Sequence, residues 1–181
     1  MPKNKIIPGE NSMKKIILLI SIFLIAISSI TASDKKTMFT GEFGFNFFGY
    51  KTSYLTTGIL YQVEIRDGMD LVSGVDFGIH TTNGNSGVIE ADFLIPLKLG
   101  LYFPFQVERI QYGFGTGISP CFQKTYDGSG SDFLIGPYVN GSIRIKVHPV
   151  MSVYLQVQQD LLFGKPDWIY TGSRINIGIS F

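Results

Sequence analysis

The sequence predicts an all-β fold: an eight-stranded antiparallel up-and-down transmembrane β-barrel. Three observations lead to this prediction. Apolar and polar residues alternate from Met38 onward, only 16% of the residues are charged while 14% are aromatic, and the connections between alternating segments are short and long in turn. Soluble domains carry about 25% charged residues, so a water-covered outer surface is hard to build from this composition.

The chain divides into an N-terminal extension with a cleavable signal peptide, residues 1–33, and a barrel domain, residues 34–181. Two lysines at 14–15 precede an uncharged stretch at 16–30, and small residues at 31–33 offer a cleavage site. The stretch is shorter than the roughly 20 residues of a spanning helix. A second methionine directly precedes this signal, so either of the first two methionines can be the start.

The alternation separates the barrel domain into eight strands, because successive side chains of a strand point to opposite faces. In the fourth strand the odd positions from Ile89 to Leu101 are apolar, whereas Glu90, Asp92 and Lys98 share the other face. The expected strands are roughly 38–50, 53–66, 69–82, 88–102, 106–120, 133–147, 151–161 and 169–181.

The polar faces indicate that the apolar side of the barrel points outward. A water-facing outer surface would be dense in Lys and Glu, but these faces combine isolated charges with many glycines. Eight strands leave a lumen that side chains just fill, and glycine relieves crowding there. The apolar faces would then contact hydrocarbon. The glycines concerned are Gly44, Gly58, Gly74, Gly78, Gly113, Gly115, Gly117 and Gly178.

The lengths of the connections indicate which end of the barrel is periplasmic and which faces outward from the cell. We expect tight turns at Asp67-Gly68, around Pro104 and at His148-Pro149. The other connections are mostly longer and rich in Gly, Ser, Asn and Asp; they are 49–53, 83–87, 121–132 and 162–168. Short periplasmic turns, longer outer loops and both termini on the periplasmic side are typical of single-chain outer-membrane barrels.

The C-terminal sequence Arg174-Ile-Asn-Ile-Gly-Ile-Ser-Phe181 ends on an aromatic residue preceded by apolar residues at alternate positions. It resembles the C-terminal recognition signal of small outer-membrane β-barrels of the OmpA-transmembrane, OmpX and opacity-protein type, and the resemblance covers residues 38–181. It implies an outer-membrane location and a monomer in contact with membrane lipid and lipopolysaccharide or its equivalent. It also implies recognition by the barrel-assembly machinery through Ile177, Ile179 and Phe181.

Inward-facing acids and bases balance evenly, which predicts an ion-pair plug, because a charge without water is costly unless it is paired. Counted from the inner rim along each strand, these two acids and two arginines come out at nearly the same level, so we expect Glu42 or Glu64 to bond Arg109 or Arg144 across the lumen. The predicted lumen ion-pair network comprises Glu42, Glu64, Asp76, Asp92, Arg109, Arg144 and Arg174.

These observations favour a structural or interaction role through the outer loops, with host or other surface molecules as candidate partners. A narrow OmpW-like channel for small or hydrophobic solutes is the alternative, and a lipid-A-modifying barrel enzyme using His80 is the third reading. We expect no catalytic, cofactor-binding or metal site, since His80 and His148 fall at opposite rims and Cys121 is the single cysteine. With 15 Lys and Arg against 14 Asp and Glu, no basic field exists to bind nucleic acid.

Overall fold

A computed structural model describes residues 36–49, 51–83, 89–126, 131–165 and 168–181. The predicted signal peptide lies outside these residues. In the part of the chain that is described, no helix is long and apolar enough to cross a membrane.

Strands make up nearly all of the described chain. Their bounds are β1 Thr37–Phe48, β2 Thr52–Arg66, β3 Met69–Asn83, β4 Ile89–Val107, β5 Ile110–Ile118, β6 Cys121–Lys124, β7 Ser131–Leu134, β8 Pro137–His148, β9 Met151–Gly164 and β10 Trp168–Ser180.

Two pairs of these segments act as single strands, so the ring contains eight. The register that pairs Ile118 of β5 with Pro137 of β8 continues unchanged where Cys121 of β6 pairs with Leu134 of β7. Between them the Ser119 amide donates to the Gly136 carbonyl at 2.8 Å. Around the ring the order is β1, β2, β3, β4, β5 with β6, β7 with β8, β9 and β10. The predicted eight-stranded barrel is confirmed.

The first and last strands close the barrel. β1 pairs with β10 from Thr40 opposite Ser180 to Phe48 opposite Gly172. Below this stretch Phe39 and Phe181 exchange two backbone hydrogen bonds of 3.0 and 2.8 Å. Every strand of the ring therefore has two neighbours, and the described barrel wall has no free edge for another chain to pair with.

The outer wall is an apolar belt, as the alternation predicts. Along β1, exposed Phe39, Phe43, Phe45 and Phe47 alternate with residues that the lumen buries. On β10 the Ile177 side chain is 56% exposed, between equally outward Ile175 and Ile179. Every strand of the ring exposes large apolar side chains on this outer face. Such a surface is typical of a barrel wall that faces lipid rather than water.

One predicted turn is wrong. Pro104 lies inside β4, opposite Gly113, and the turn is at Glu108 and Arg109. A strand tolerates proline wherever the ladder does not need its N–H, so proline alone does not mark a turn. Glu108 supplies the left-handed residue that this tight turn needs, with φ of 52°.

Candidate functional site in the barrel lumen

The middle of the lumen is filled by charged side chains from five strands. They are Glu42 of β1, Asp76 of β3, Lys98 of β4, Asp160 of β9 and Arg174 of β10, all buried, and we call them the central network. Each is at an inward position of its strand, which the two-residue period of the sequence sets.

Lys98 and Arg174 connect the carboxylates of the central network. Lys98 Nζ bonds Glu42 Oε1 and lies 3.1 Å from Asp76 Oδ2. Arg174 Nη1 donates to the same Asp76 oxygen at 2.8 Å. On its other side Arg174 donates to both oxygens of Asp160, from Nε at 2.8 Å and from Nη2 at 2.7 Å. The result is one continuous chain of ion pairs across the lumen.

Arg174 is the centre of this chain. Its Nη2 also donates to Ser119 Oγ at 3.0 Å, so all three guanidinium nitrogens have partners. A guanidinium that bonds a carboxylate with two parallel N–H groups is held in a defined orientation. Arg174 therefore fixes β3 and β9 relative to β10 from inside the barrel.

Glycines make the space that these side chains need. A Cβ on Gly58 would overlap the Asp76 carboxylate, and one on Gly44 would overlap the Asn176 side chain. Both glycines are on strands adjacent to those residues. This explains why the inward faces combine charge with glycine.

A second polar cluster lies nearer the inner rim. Arg144 Nη2 donates to Gln62 Oε1 and Nη1 to Gln111 Oε1, both at 2.6 Å, while Nε donates to Ser180 Oγ at 3.1 Å. The guanidinium carbon lies 5.0 Å from the centre of the Tyr154 ring. Arg144 is thus held by neutral acceptors and an aromatic face.

Two apolar layers enclose the central network, and the order along β4 shows the arrangement. Leu94, Lys98 and Tyr102 follow one another at four-residue intervals from the outer end to the inner end. Leu94 belongs to the outer layer, with Phe48, Tyr54, Cys121, Leu134 and Leu162. Tyr102 belongs to the inner layer, with Leu60, Val72 and Tyr154.

The structure groups only part of the predicted lumen network. Glu42, Asp76 and Arg174 are in the central network. Glu64 is at the inner rim, where its carboxylate lies 4.0 Å from Lys36 Nζ. Asp92 is at the outer rim and accepts a 2.8 Å hydrogen bond from the Tyr126 amide.

The predicted bond between Glu42 or Glu64 and Arg109 or Arg144 is wrong. Glu42 bonds Lys98, Arg144 bonds neutral groups, and Arg109 is exposed in the turn after β4. The prediction counted positions from the inner rim on each strand, and its misplaced turn put Arg109 inside the barrel. It also ignored the stagger between tilted strands, which shifts the level at which their side chains meet.

Lys98 and Asp160 were not among the predicted network residues. Both were visible in the sequence as inward charges, and the signal for Lys98 was its position on the polar face of the most regular strand. The alternation predicts whether a side chain points into the lumen. Which side chain it meets there depends on the stagger between the strands, which the alternation does not give.

His80 is the candidate residue for a lipid-A-modifying enzyme, and its described partners are a backbone carbonyl and an aromatic ring. Its Nδ1 lies 2.9 Å from the Ser53 carbonyl oxygen, and its ring is 5.8 Å from that of Tyr54. Among the described residues, no group of three or more His, Cys, Asp or Glu could hold a metal ion.

Solved structures with the same architecture exist, although no protein-family model and no curated protein sequence matches the chain. Neisserial surface protein A matches with a TM-score of 0.64 at 10% identity, over 82% of this chain and 96% of that one. Ail, the attachment invasion locus protein of Yersinia pestis, crystallised with the heparin analogue sucrose octasulfate, matches with a TM-score of 0.53 at 10% identity, over 82% of this chain and 100% of that one. The chain has the fold of a small outer-membrane β-barrel, as the sequence predicts.

Proposed function

We propose that the protein is an integral outer-membrane barrel with a closed lumen, and that it acts through its outer end. The observation that carries the proposal is the filling of the lumen by the central network between two apolar layers. Closed transmembrane barrels with an apolar belt are found in outer membranes, which supports that location.

The layering opposes conduction in two ways. An ion in the lumen would have to displace the buried ion pairs of the central network, and would then cross an apolar layer without its water. The outer layer is fully buried at Tyr54, Leu94 and Leu134. The barrel wall, by contrast, gives the outer loops a rigid base, and loops on rigid scaffolds commonly carry recognition.

Single-channel recording in planar bilayers tests the closed lumen. We expect no conductance steps from the refolded barrel at moderate voltage, and steps from a variant in which Leu94, Lys98 and Tyr102 are all alanine, which changes each apolar layer and the central network between them. Heat-dependent mobility in gels shows that both proteins are folded. Steady conductance by the unmodified barrel would refute the proposal.

A narrow channel is the second candidate, because one observation favours it. The ladder between β3 and β4 stops after Val75 opposite Leu97 and resumes at Gly78 opposite Leu94. Pro96 lies in this interval and has no N–H to donate. The wall is weaker there, so conductance or uptake of an apolar solute that disappears when Pro96 is replaced by valine would support transport.

The outer end is mixed in charge, which bears on its partners. Lys51, Lys124 and Lys165 are near this rim, but so are Glu90, Asp92 and Asp132. No field of one sign results, so a highly sulfated glycan of the kind seen with Ail is a poor match for the described rim. A neutral surface molecule fits this rim better, and lipopolysaccharide or its equivalent fits through its sugars and acyl chains rather than through its phosphates.

Trp168 allows this contact to be measured. It is the only tryptophan in the sequence and is 76% exposed at the start of β10. Reconstitution in vesicles containing lipopolysaccharide should shift its emission to shorter wavelength, relative to phosphatidylcholine vesicles alone. Identical spectra in both vesicles would argue against lipopolysaccharide as the partner.

The proposal includes no catalytic step. His80 contacts a backbone carbonyl and an aromatic ring, and none of the acids or hydroxyl groups in the described part of the chain bonds its imidazole. A lipid-A-modifying enzyme would need such a partner to activate a nucleophile. Unchanged lipid A mass spectra from cells that produce the protein are the expected result.

A further inference from the structure

A polar pair interrupts the lipid-facing belt on β9 and β10. Gln159 and Ser173 are cross-strand partners whose side chains point outward, and Ser173 Oγ donates to Gln159 Oε1 at 2.6 Å. On the same face of β9, Val157 and Leu161 flank Gln159, with exposed fractions of 54% and 40%. We call Gln159 and Ser173 the lateral pair.

The lateral pair lies inside the hydrocarbon region. Outward residues of β9 are apolar from Val153 to Phe163 except at Gln159. With a strand rise of about 3.4 Å and a tilt of about 40°, each residue advances about 2.5 Å along the membrane normal. Gln159 is therefore about 10 Å below Phe163, within an apolar band of about 25 Å.

Gln159 retains unused hydrogen-bonding capacity. An amide side chain has two N–H groups and a carbonyl with two lone pairs. The structure gives one bond to each end: Oε1 accepts from Ser173, and Nε2 donates to the Asp160 carbonyl at a long 3.3 Å. One donor and one acceptor site remain, and hydrocarbon offers no partner for either.

Two outward hydroxyl groups elsewhere on the wall are satisfied by the barrel itself. Thr116 Oγ1 donates to the Tyr138 carbonyl at 3.0 Å, and Thr57 Oγ1 to the Glu42 carbonyl at 3.4 Å. A hydroxyl has a single proton to place, so one carbonyl is enough. The two-ended amide of Gln159 is different because the wall cannot satisfy all of it.

We propose that the lateral pair is the centre of a contact between two copies of this chain within the membrane. All copies insert with the same orientation, so a two-fold axis along the membrane normal brings Gln159 to the depth of its counterpart. Each amide then gives its free N–H to the other's carbonyl. An unrelated protein would need a polar group at this depth by coincidence, and acyl chains have none there.

This contact revises the monomer expected from the sequence. It rests on the membrane location proposed above, which recovery of the chain in the outer-membrane fraction tests separately. The flanking Val157, Leu161 and Ile175 side chains are exposed and can pack against the partner copy.

Cross-linking in native outer membranes tests the contact. Cys121 is buried in the lumen and is replaced by serine to give a cysteine-free background. Leu161→Cys then introduces a thiol beside the lateral pair, and Val75→Cys introduces an outward thiol on β3, on the opposite wall. A short, membrane-soluble bis-maleimide should give a species of twice the monomer mass for Leu161→Cys only.

Addition of Gln159→Leu should decrease this cross-linked fraction about fivefold, the effect expected of hydrogen bonds between segments in a membrane. The variant removes a polar group from the lipid face, and heat-dependent gel mobility confirms that it folds. Fluorescence resonance energy transfer between labelled but otherwise unmodified barrels in vesicles measures the same association of two copies, without engineered thiols near the contact.

Three results would overturn the proposal. Equal cross-linking at Val75→Cys indicates random collision, and a yield that Gln159→Leu leaves unchanged removes the role of the lateral pair. A product whose mass corresponds to a lipid adduct or to another protein assigns the surface to a different occupant.

Discussion

At the scale of single residues, the contribution of a buried arginine to the stability of the barrel depends on which side chains it bonds. Arg174 and Arg144 are both buried arginines on neighbouring parts of the same interior. Arg174 neutralises Asp76 and Asp160, whereas Arg144 bonds uncharged side chains. Loss of the first leaves the Asp160 carboxylate without a cation, whereas Asp76 retains Lys98. Loss of the second leaves the amide oxygens of Gln62 and Gln111 without their donor.

Arg174→Ala should therefore destabilise the barrel more than Arg144→Ala. We expect about 3–5 kcal/mol for Arg174→Ala, the cost of stranding a buried charge, and about 1–3 kcal/mol for Arg144→Ala. Reversible urea unfolding in lipid vesicles measures both. Equal losses would mean that the central network does not depend on its ion pairs.

The lipid-facing side chains give a second residue-scale prediction. Ile177→Arg should cost roughly 1–3 kcal/mol because it places a charge in hydrocarbon, between the bilayer midplane and the inner interface. Val150→Arg is the matched control, since Val150 is 69% exposed in the turn between β8 and β9, where water is available. If the two variants unfold at the same urea concentration, the apolar belt does not face hydrocarbon.

At the scale of strands, the sequence predicts faces well and positions along the axis poorly. The period-two pattern assigned Ile177 outward and Arg174 inward, and both are confirmed. The turn before β5 was misplaced because Pro104 resembles a turn residue, although its backbone N–H is not needed there. That error of a few residues placed Arg109 in the lumen, which shows how register depends on turns.

The seam between β1 and β10 offers an element-scale prediction. A Cβ on Gly178 would overlap the carbonyl oxygen of Gly41 on β1, whereas the position on Gly141 of β8 is open. Gly178→Ala should thus cost about 1–3 kcal/mol through overpacking.

Gly141→Ala is the matched control. It should be neutral or slightly stabilising, because alanine reduces the entropy of the unfolded chain without strain here. Urea unfolding of both variants in vesicles decides the matter. If Gly178→Ala is as stable as Gly141→Ala, the close approach of the two closing strands is not needed.

At the scale of the whole molecule, the architecture follows from the sequence, whereas the contacts in the lumen do not. Strand number, closure and the outward belt depend on local alternation, which each segment carries by itself. The pairing of Lys98 with Glu42, and of Arg174 with Asp160, depends on how the tilted strands are staggered around the ring. No single segment encodes that stagger.

In the C-terminal strand β10 and at Phe181 after it, different atoms close the barrel and form the proposed signal for the assembly machinery. Ile177, Ile179 and Phe181 all face outward, and the side chain of Phe181 is 66% exposed. The two hydrogen bonds between Phe181 and Phe39 use backbone atoms alone. The phenyl ring therefore contributes little to closure of the barrel, although it stands at the position of the proposed signal for the barrel-assembly machinery.

Phe181→Ala should for this reason impair assembly in cells more than it impairs refolding of the purified protein. Both backbone bonds remain, so the purified variant should refold in detergent or lipid with a loss of about 1 kcal/mol or less, the scale of lost apolar contact at an exposed site. In cells its level in the outer membrane should fall severalfold, because the assembly machinery no longer recognises the terminus. Ile135→Ala, which removes an exposed apolar side chain from the outer wall far from the terminus, is the matched control and should assemble normally. Parallel losses of refolding and assembly for Phe181→Ala would instead show that the aromatic ring stabilises the barrel, and would remove the basis for assigning it as a signal.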